Sequence, residues 1–411
     1  MFGNVLNFLG FSDTDGVYVG ERRVELGMSN KSYIAEYYPR IRLRPFLKWG
    51  WRRSNGRFSV DFHSEANPHV NISGMSGFGK STLCKRLVKE IREKLNLPVS
   101  IFDAHSEYVD FTLQLGGTVH SPKQSSINMW ELDGASPAER ISENVAMLKR
   151  ILKLGDIQAY NLLSSAERAY ERKGITQNAC GSWCMEPPTM QDVYECINES
   201  MSRKGHGGQS YAGLSKRLYP LLMSNVFSAK TTFPFSRVLE GLNDFSMAEL
   251  GSSEAQALFI ETFLRKLHSH MLSQKLSDGL KLFAVIDEAH RVCISSENEL
   301  SLPGRLVSEG RKYGVGIVTS NQMAKNLDRA IIANSALTFA FYQREPQECE
   351  YMASLLAGGT DFERREVVRS KLRNLKQFEC IVLTSATREP VLVEVAPLWK
   401  ENSFRKSGTS T

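Results

Sequence analysis

Apolar runs alternate with helical stretches over most of the chain from residue 69 onward. The clearest runs are HVNISG (69–74), PVSIFD (98–103), KLFAVID (281–287), GVGIVTS (314–320), ALTFAFY (336–342) and ECIVLTS (379–385). Near-continuous apolar strands separated by helices are typical of a parallel sheet that is covered on both faces. The pattern therefore predicts an α/β fold with a mostly parallel sheet.

Residues 135–230 depart from this alternation. In ASPAERISENVAMLKRILKLGD the apolar residues recur at helical spacing, and Pro137 follows Ser136, a suitable N-cap. Further helical stretches follow, interrupted by NACGSWCMEPP and RKGHGGQS. We expect a mostly helical insertion here.

The chain before residue 67 differs again, because GVYVGE and RFSVDF look like short strands. We therefore divide the chain as follows: a small basic β-rich segment at 1–66, a core in two parts at 67–134 and 231–400, the helical insertion at 135–230, and a polar, disordered tail at 401–411. These boundaries are expectations from composition and pattern alone.

Positive charge is concentrated in one stretch. RIRLRPFLKWGWRRSNGR, residues 40–57, contains no acid, and its basic residues are Arg40, Arg42, Arg44, Lys48, Arg52, Arg53 and Arg57. These seven charges exceed the formal net charge of +6, and two tryptophans lie among them. The stretch fits contacts with nucleic-acid phosphates or with anionic lipid headgroups, and also a solvated surface whose arginines pair with acids elsewhere.

The composition disfavours two broad classes of protein. We find no apolar run of about 18 residues, so no spanning helix is expected. Seven cysteines in 411 residues do not indicate a disulfide scaffold. Cys180, Cys184 and Cys196 lack a clear fourth zinc ligand, so buried thiols in a reducing cytosol fit better than a metal site. We expect a cytoplasmic protein, and peripheral association with the cytoplasmic face of a membrane stays open.

A glycine-rich loop precedes a good helix former. ISGMSGFGKST, residues 72–82, fits G-x-x-x-x-G-K-[ST], in which glycines let backbone N–H groups surround an anion at a helix N-terminus. Lys80 would reach the β- and γ-phosphates, Ser81 would offer its hydroxyl to Mg²⁺, and Thr82 would cap the helix or support the α-phosphate. A glycine-rich turn without a ligand is the alternative. The expected nucleotide-binding residues are Gly74, Ser76, Gly77, Phe78, Gly79, Lys80, Ser81 and Thr82.

An acidic pair ends one of the apolar runs. In KLFAVIDEAH, a buried strand would deliver Asp287 to the edge of the sheet where the glycine-rich loop also lies. There Asp287 can hold Mg²⁺, usually through water, and Glu288 can orient or deprotonate an attacking water. Acids often end strands, but together with the loop this pair indicates an enzyme that binds and hydrolyses ATP.

Four segments carry a resemblance to a known group. HVNISGMSGFGKST, VSIFDAHSEYV, LFAVIDEAHRV and SEGRKYGVGIVTSNQ resemble the HerA–FtsK superfamily of DNA-pumping ATPases, over about residues 55–400. The similarity is closest to the branch that contains HerA and the conjugative type IV secretion ATPases such as TraC. It implies a RecA-like core, ATP and Mg²⁺ as cofactors, and a ring, usually of six subunits, around DNA.

The resemblance also implies roles for individual residues. Asp103, with His105 and Glu107, occupies the acidic-aromatic motif beside the phosphate loop. Gln322 stands where the family has a polar sensor of the γ-phosphate, and Arg311 matches an arginine that touches nucleotide, in the same or a neighbouring subunit. Arg305 and Arg344 are weaker candidates for that arginine, and any of the three could form a surface salt bridge instead.

Two departures from the family stand out. Phe78 replaces the small residue common in the loop, and it could pack on the base or on the core. The region before the ATPase core is only about 66 residues, whereas secretion ATPases often carry a larger N-terminal domain. Candidates for basic or polar pore loops are Lys325, Arg329, Arg203, Lys204 and His206.

Three functions therefore compete. The first is a hexameric motor that drives DNA transfer through a membrane-associated conjugation machine. The second is a HerA-like helicase or translocase that works with a nuclease in DNA end processing or defence. The third is an ATPase that assembles a pilus or channel and does not grip DNA. The similarity around Asp103 and the helical insertion favour the first, and the basic stretch favours the first two.

Overall fold

The computed structural model describes residues 16–29, 48–62, 64–203, 208–224, 226–227, 230–233, 235–273, 279–293, 300–309, 314–358, 361–386 and 389–398. Within this part of the chain, eleven strands form a single sheet. Apolar side chains form one buried cluster on each face of the sheet, and helices cover both clusters. The predicted α/β class is confirmed.

The strands follow the chain in numerical order. They are β1 (Val17–Ser29), β2 (Lys48–Val60), β3 (Val70–Ser73), β4 (Val99–Asp103), β5 (Thr118–His120), β6 (Leu242–Ser246), β7 (Leu282–Ile286), β8 (Val315–Asn321), β9 (Leu337–Ala340), β10 (Glu379–Thr384) and β11 (Val391–Val395). Each of the six apolar runs from residue 69 onward coincides with one of these strands to within two residues at each end, so those predictions are confirmed. Three strands were not foreseen, namely β5, β6 and β11.

The order across the sheet is β2-β1-β11-β10-β9-β3-β8-β7-β4-β6-β5. The seven strands from β9 to β5 are parallel, and β3, at the start of the glycine-rich loop, pairs with β8 and β9. The other neighbours, from β2 to β9, pair antiparallel. Because parallel strands end at the same edge, the loops after β3, β4, β7 and β8 meet there.

The helices also take their numbers from chain order. They are α1 (Lys80–Glu90), α2 (Val109–Gln114), α3 (Pro137–Leu152), α4 (Asp156–Arg172), α5 (Met190–Arg203), α6 (Gln209–Met223), α7 (Phe235–Val238), α8 (Ser253–Ser273), α9 (Leu302–Glu309), α10 (Arg329–Asn334), α11 (Pro346–Ala357) and α12 (Phe362–Leu372). α3 begins as predicted, since the Ser136 hydroxyl accepts from the Glu139 amide and the Glu139 carboxylate accepts from the Ser136 amide.

Among the described residues, five helices, α3 to α7, lie in the segment between β5 and β6, and the first four fall within residues 135–230. Buried ion pairs join this segment to α8. Arg150 on α3 lies 2.5 Å from the Glu261 carboxylate on α8, with both side chains under a tenth exposed. Lys266, also on α8, contacts Glu131 at 2.5 Å and Asp133 at 2.9 Å. Leaving one member of such a pair unpaired is costly, so these contacts fix α8 against the helical segment.

The two N-terminal strands extend the same sheet, because β1 pairs with β11. β2 forms the edge, and its register sets Arg52 opposite Glu25 and Arg57 opposite Glu21. The two glutamates therefore offset part of the positive charge of the basic stretch. Residues 40–47 of that stretch lie outside the described residues, as does the tail at 401–411.

In the part of the chain that the structure describes, no helix combines the length and the apolar character needed to cross a bilayer. Cys180 and Cys184 are exposed there, whereas Cys196 is buried.

Candidate nucleotide-binding site

The glycine-rich loop joins β3 to α1, as predicted. Gly74, Gly77 and Gly79 have φ angles of +155°, +83° and +118°, which residues with a Cβ rarely adopt. A Cβ on Gly74 would lie 2.5 Å from the Cβ of Phe341, and one on Gly79 would lie 3.0 Å from the ring of Phe378. A Cβ on Gly77 would meet nothing within 4 Å. The loop is thus tightly packed at its two ends and open at its tip.

Lys80 begins α1 and is largely buried, with 7% of its surface exposed. Its Nζ donates to the carbonyl oxygen of Gly74 at 2.8 Å, across the loop. Burial lowers the pKa of Lys80, and the carboxylates of Glu288 and Asp287 oppose that effect. The ammonium group therefore lies inside the loop and close to the acidic pair.

The next residues of the loop and helix are more accessible. The Ser81 hydroxyl donates to the Glu107 carboxylate at 3.2 Å. Ser76 is exposed at the loop tip, and Thr82 is half-buried on α1. Phe78 stacks on Tyr342, with ring centroids 4.5 Å apart and planes 17° apart. Of the two alternatives for Phe78, packing on the protein is what the structure contains.

The acidic pair follows β7, at the same edge of the sheet. Asp287 is 5% exposed, and burial raises its pKa to about 6. Glu288 adopts the left-handed conformation at φ +49° and accepts a hydrogen bond from Nε2 of Gln322 at 3.0 Å. His290 Nδ1 lies 3.5 Å from the other oxygen of Glu288. The expected base and the expected sensor are therefore in direct contact.

Asp103 ends β4 and is fully buried. Its carboxylate accepts hydrogen bonds from the amides of His105 at 3.1 Å and Tyr108 at 2.8 Å. Lys85 on α1 donates to the carbonyl of Glu107 at 2.8 Å. Asp103 thus shapes the loop that brings Glu107 to Ser81, and its own oxygens bind backbone amides of that loop.

The basic residues expected to contact nucleotide or DNA are spread over several elements of the chain. Arg311 lies outside the described residues, as do Lys204 and His206. Arg305 on α9, Arg344 after β9, Arg329 on α10 and Arg203 on α5 are exposed. Lys325 donates to the Gln347 side chain at 2.8 Å. The roles expected of these residues stay predictions.

Several residues outside the predicted motifs also hold the loop. The Asn321 carbonyl accepts from the Gly74 amide at 3.2 Å, and the Tyr342 carbonyl accepts from the Met75 amide at 2.9 Å. Gln377 and Phe378 also bond to the loop. Asn321 could have been found as a polar residue ending β8 beside Gln322, but residues 377–378 lie about 300 residues away and no motif marks them.

This arrangement suits a polyphosphate with a divalent cation. The loop tip is open, the Lys80 ammonium lies within the loop, and the Ser81 hydroxyl and Asp287 carboxylate are ligands that Mg²⁺ accepts. The residues present therefore fit both groups.

Comparison with known proteins gives the family. The family model described as "Helicase HerA, central domain" matches residues 50–267. Among curated proteins, the DNA double-strand break repair helicase HerA of Saccharolobus solfataricus is 25% identical over 80% of this chain and 64% of its own length. The protein of the same name from Sulfolobus acidocaldarius is 23% identical over 82% of this chain and 67% of its own. This chain thus spans about two thirds of the length of these relatives. For the Saccharolobus solfataricus protein, the share is slightly less than two thirds.

Two solved structures share the fold. VirB4 of Thermoanaerobacter pseudethanolicus superposes with a TM-score of 0.68 at 17% identity, over 95% of this chain and 99% of that one. The bacterial conjugative coupling protein TrwB gives 0.58 at 16% identity, over 83% and 87%. The family resemblance drawn from the four motifs is confirmed. Because the family model covers more than half of the 411 residues, the chain belongs to the family of the HerA helicase central domain.

Proposed function

We propose that this protein is an ATPase that uses ATP and Mg²⁺ to move DNA, as a HerA-type motor built of identical subunits, six in a ring. The observation that carries the proposal is the Glu288–Gln322 contact of 3.0 Å beside the buried Asp287 and the phosphate loop. A site that only stored nucleotide would need the loop and a metal ligand. A carboxylate fixed next to them suits turnover.

Each side chain then has a role in hydrolysis. The loop amides and Lys80 bind the phosphates, and Lys80 exchanges its bond to the Gly74 carbonyl for phosphate oxygens. Ser81 and Asp287 would hold Mg²⁺, which when bound neutralises charge on the phosphate oxygens.

The remaining polar groups act on the attacking water. Glu288 orients this water and accepts its proton at a carboxylate oxygen. Gln322 donates to Glu288, so it fixes that carboxylate and lies where it can also respond to the γ-phosphate. Ser81 must give up its bond to Glu107 to turn its hydroxyl towards a metal.

DNA as the substrate is supported by the curated relatives, which are named as DNA double-strand break repair helicases. Exposed Arg52, Arg53 and Arg57 on β2 are candidates for phosphate contacts, as are Lys325, which follows β8, and Arg329 on α10. Because double-strand break repair is the context named for these relatives, we place the motor in DNA end processing, and a nuclease partner is part of this proposal.

A second candidate is DNA transfer between cells. Its supporting observation is the fold shared with TrwB, which is described as a bacterial conjugative coupling protein. In this reading, the motor would act from the cytoplasmic face of a membrane, through contacts with channel or pilus proteins.

ATP hydrolysis by the purified protein tests both candidates. It is measured without DNA, with linear duplex, with covalently closed duplex of the same sequence, and with circular single strands, from about 50 to 200 mM salt. DNA-stimulated hydrolysis that falls steeply with salt supports a motor that grips phosphates. Preference for linear over closed duplex favours end processing, and preference for single strands favours transfer.

Turnover that ignores DNA at every salt concentration would overturn the proposal and favour an ATPase that assembles a pilus or channel. Mass photometry with and without an ATP analogue tests the ring of six. Lys80→Ala should lose nucleotide binding, which links any measured turnover to this site and not to a contaminant.

A further inference from the structure

The Gln377–Phe378 turn, between α12 and β10, contacts the phosphate loop from outside the motifs. We propose that this turn positions the phosphate loop for nucleotide, so that its loss weakens binding without removing any group that touches the phosphates. The inference rests on the proposed function, since it assigns a positioning role at the same site.

The need for such a turn follows from the loop's geometry. A loop that directs its N–H groups towards an anion directs several carbonyl oxygens outward, and those oxygens need donors. The Gly77 carbonyl accepts from Nε2 of Gln377 at 3.0 Å. The Phe78 carbonyl accepts from the amide of Phe378 at 2.9 Å. The turn therefore supplies donors to two successive carbonyls at the loop tip.

Phe378 is held in a conformation that its side chain disfavours. Its φ is +68°, in the left-handed region that bulky residues avoid. The surroundings enforce it from both sides, because its amide bonds to Phe78 and its carbonyl accepts from the Val395 amide at 2.8 Å. Its ring lies where a Cβ on Gly79 would be 3.0 Å away. The turn thus ties the loop to β11, in the antiparallel part of the sheet.

Tyr342, two residues after β9, also holds the loop. The Tyr342 carbonyl accepts from the Met75 amide at 2.9 Å, and the Tyr342 ring stacks on Phe78. Tyr342 therefore holds the loop at Met75 and Phe78, and Gln377 holds the Gly77 carbonyl. A loop already held in its binding shape loses less conformational freedom when nucleotide binds, and this is how the turn raises affinity.

The test makes the same change, glutamine to methionine, at two positions. Gln377→Met keeps the length of the side chain and removes the donor to Gly77. Gln191→Met is the control, because Gln191 is also exposed and also donates at 2.9 Å, but to Glu195 on its own helix. Binding of a fluorescent ATP analogue and of the matching ADP analogue is measured with Mg²⁺, together with KM and kcat for ATP.

Gln377→Met is expected to raise Kd and KM by about threefold to tenfold, the loss typical of one hydrogen bond, with kcat within about twofold of wild type. The control should leave all values unchanged. A merely structural role would lower the melting temperature without this split between KM and kcat. Equal Kd values for Gln377→Met and wild type would overturn the inference and leave the ATPase proposal intact.

A second pair tests the backbone of the turn. Phe378→Asn accepts a positive φ and retains the amide donor, whereas Phe378→Val disfavours that conformation strongly. Both remove the aromatic ring, so a difference between them reports the turn itself. We expect Asn to bind nucleotide at least about fivefold more tightly than Val. Equal affinities would contradict the positioning role, and a wild-type protein that binds no nucleotide would overturn the proposed function along with it.

Discussion

Asp244 is a buried carboxyl group in the middle of β6. It is 0% exposed, and within the described residues neither of its oxygens has a hydrogen-bond partner. Burial raises its pKa to about 7, the carboxylate of Asp103 adds to the effect, and Lys85 opposes it. The ionised form is thus disfavoured in the folded protein, and replacement of Asp244 by the neutral, nearly isosteric asparagine should stabilise it near neutral pH.

The sign and size of the pH-dependent change in unfolding free energy follow from the pKa values of Asp244 in the folded and unfolded states. The folded-state pKa of about 7 exceeds the ordinary value of 3.8, so between these values the folded protein binds more protons than the unfolded chain. The stability contributed by the protonated carboxyl is complete below about pH 3.8 and is lost as the pH rises to about 7. At about 1.4 kcal/mol per pH unit, the total loss in unfolding free energy is about 4 kcal/mol. About 2 to 3 kcal/mol of it falls between pH 5 and pH 7.

Thermal unfolding of wild type and Asp244→Asn, followed by circular dichroism from about pH 5 to pH 8, measures this effect. The melting temperature of the variant should exceed that of wild type by a margin that grows by about 3 °C or more up to pH 7 and then levels off. Asp110→Asn, which removes an exposed carboxylate on α2, is the control for the substitution itself. A difference for Asp244→Asn that stays constant with pH would refute the assignment of a raised pKa.

Three further predictions concern stability. Gly74→Ala should lower the unfolding free energy by about 1–3 kcal/mol, because the new Cβ would lie 2.5 Å from Phe341; urea unfolding measures it, and an unchanged midpoint would contradict it. Glu261→Ala should cost about 3–5 kcal/mol in the same assay, because it leaves the buried Arg150 without its partner. His69 is fully buried, and burial lowers its pKa to about 4. The stability contributed by the neutral His69 imidazole should be complete above about pH 6.5 and should fall as the pH drops towards 4. The pH dependence of the melting temperature, compared between wild type and His69→Gln, measures this contribution.

Matched variants separate these effects from general damage. Gly155→Ala is the control for Gly74, since a Cβ there would meet nothing within 4 Å. Glu171→Ala removes an exposed glutamate and should cost little. If wild type and His69→Gln lose stability in parallel between pH 6.5 and 4, His69 is not the group responsible.

The central strands were predictable because burial on both faces demands continuous apolar runs. β7, LFAVI, is buried at every position, and its sequence shows it. β6 is nearly as buried, but its sequence LNDFS contains Asn243 and Asp244, which conceal a strand from an apolar pattern. β5 has only three residues, too few for any periodicity. For β6, the burial of Asp244 is the same feature that perturbs its pKa.

The core of the site was predictable for a topological reason. Parallel strands end at one edge, so Lys80, Glu288 and Gln322 converge although they are far apart in sequence. What holds the loop from outside was not predictable. Phe378 owes its role to a backbone conformation that its residue type opposes, and a left-handed phenylalanine leaves no signature in sequence.

Single-turnover hydrolysis by Glu288→Gln, with ATP affinity measured on the same protein, tests whether this carboxylate is the catalytic base. The variant should bind ATP and Mg²⁺ as tightly as wild type and hydrolyse the bound ATP at least about 100-fold more slowly. Hydrolysis at the wild-type rate by this variant would contradict the assignment of Glu288 as the catalytic base.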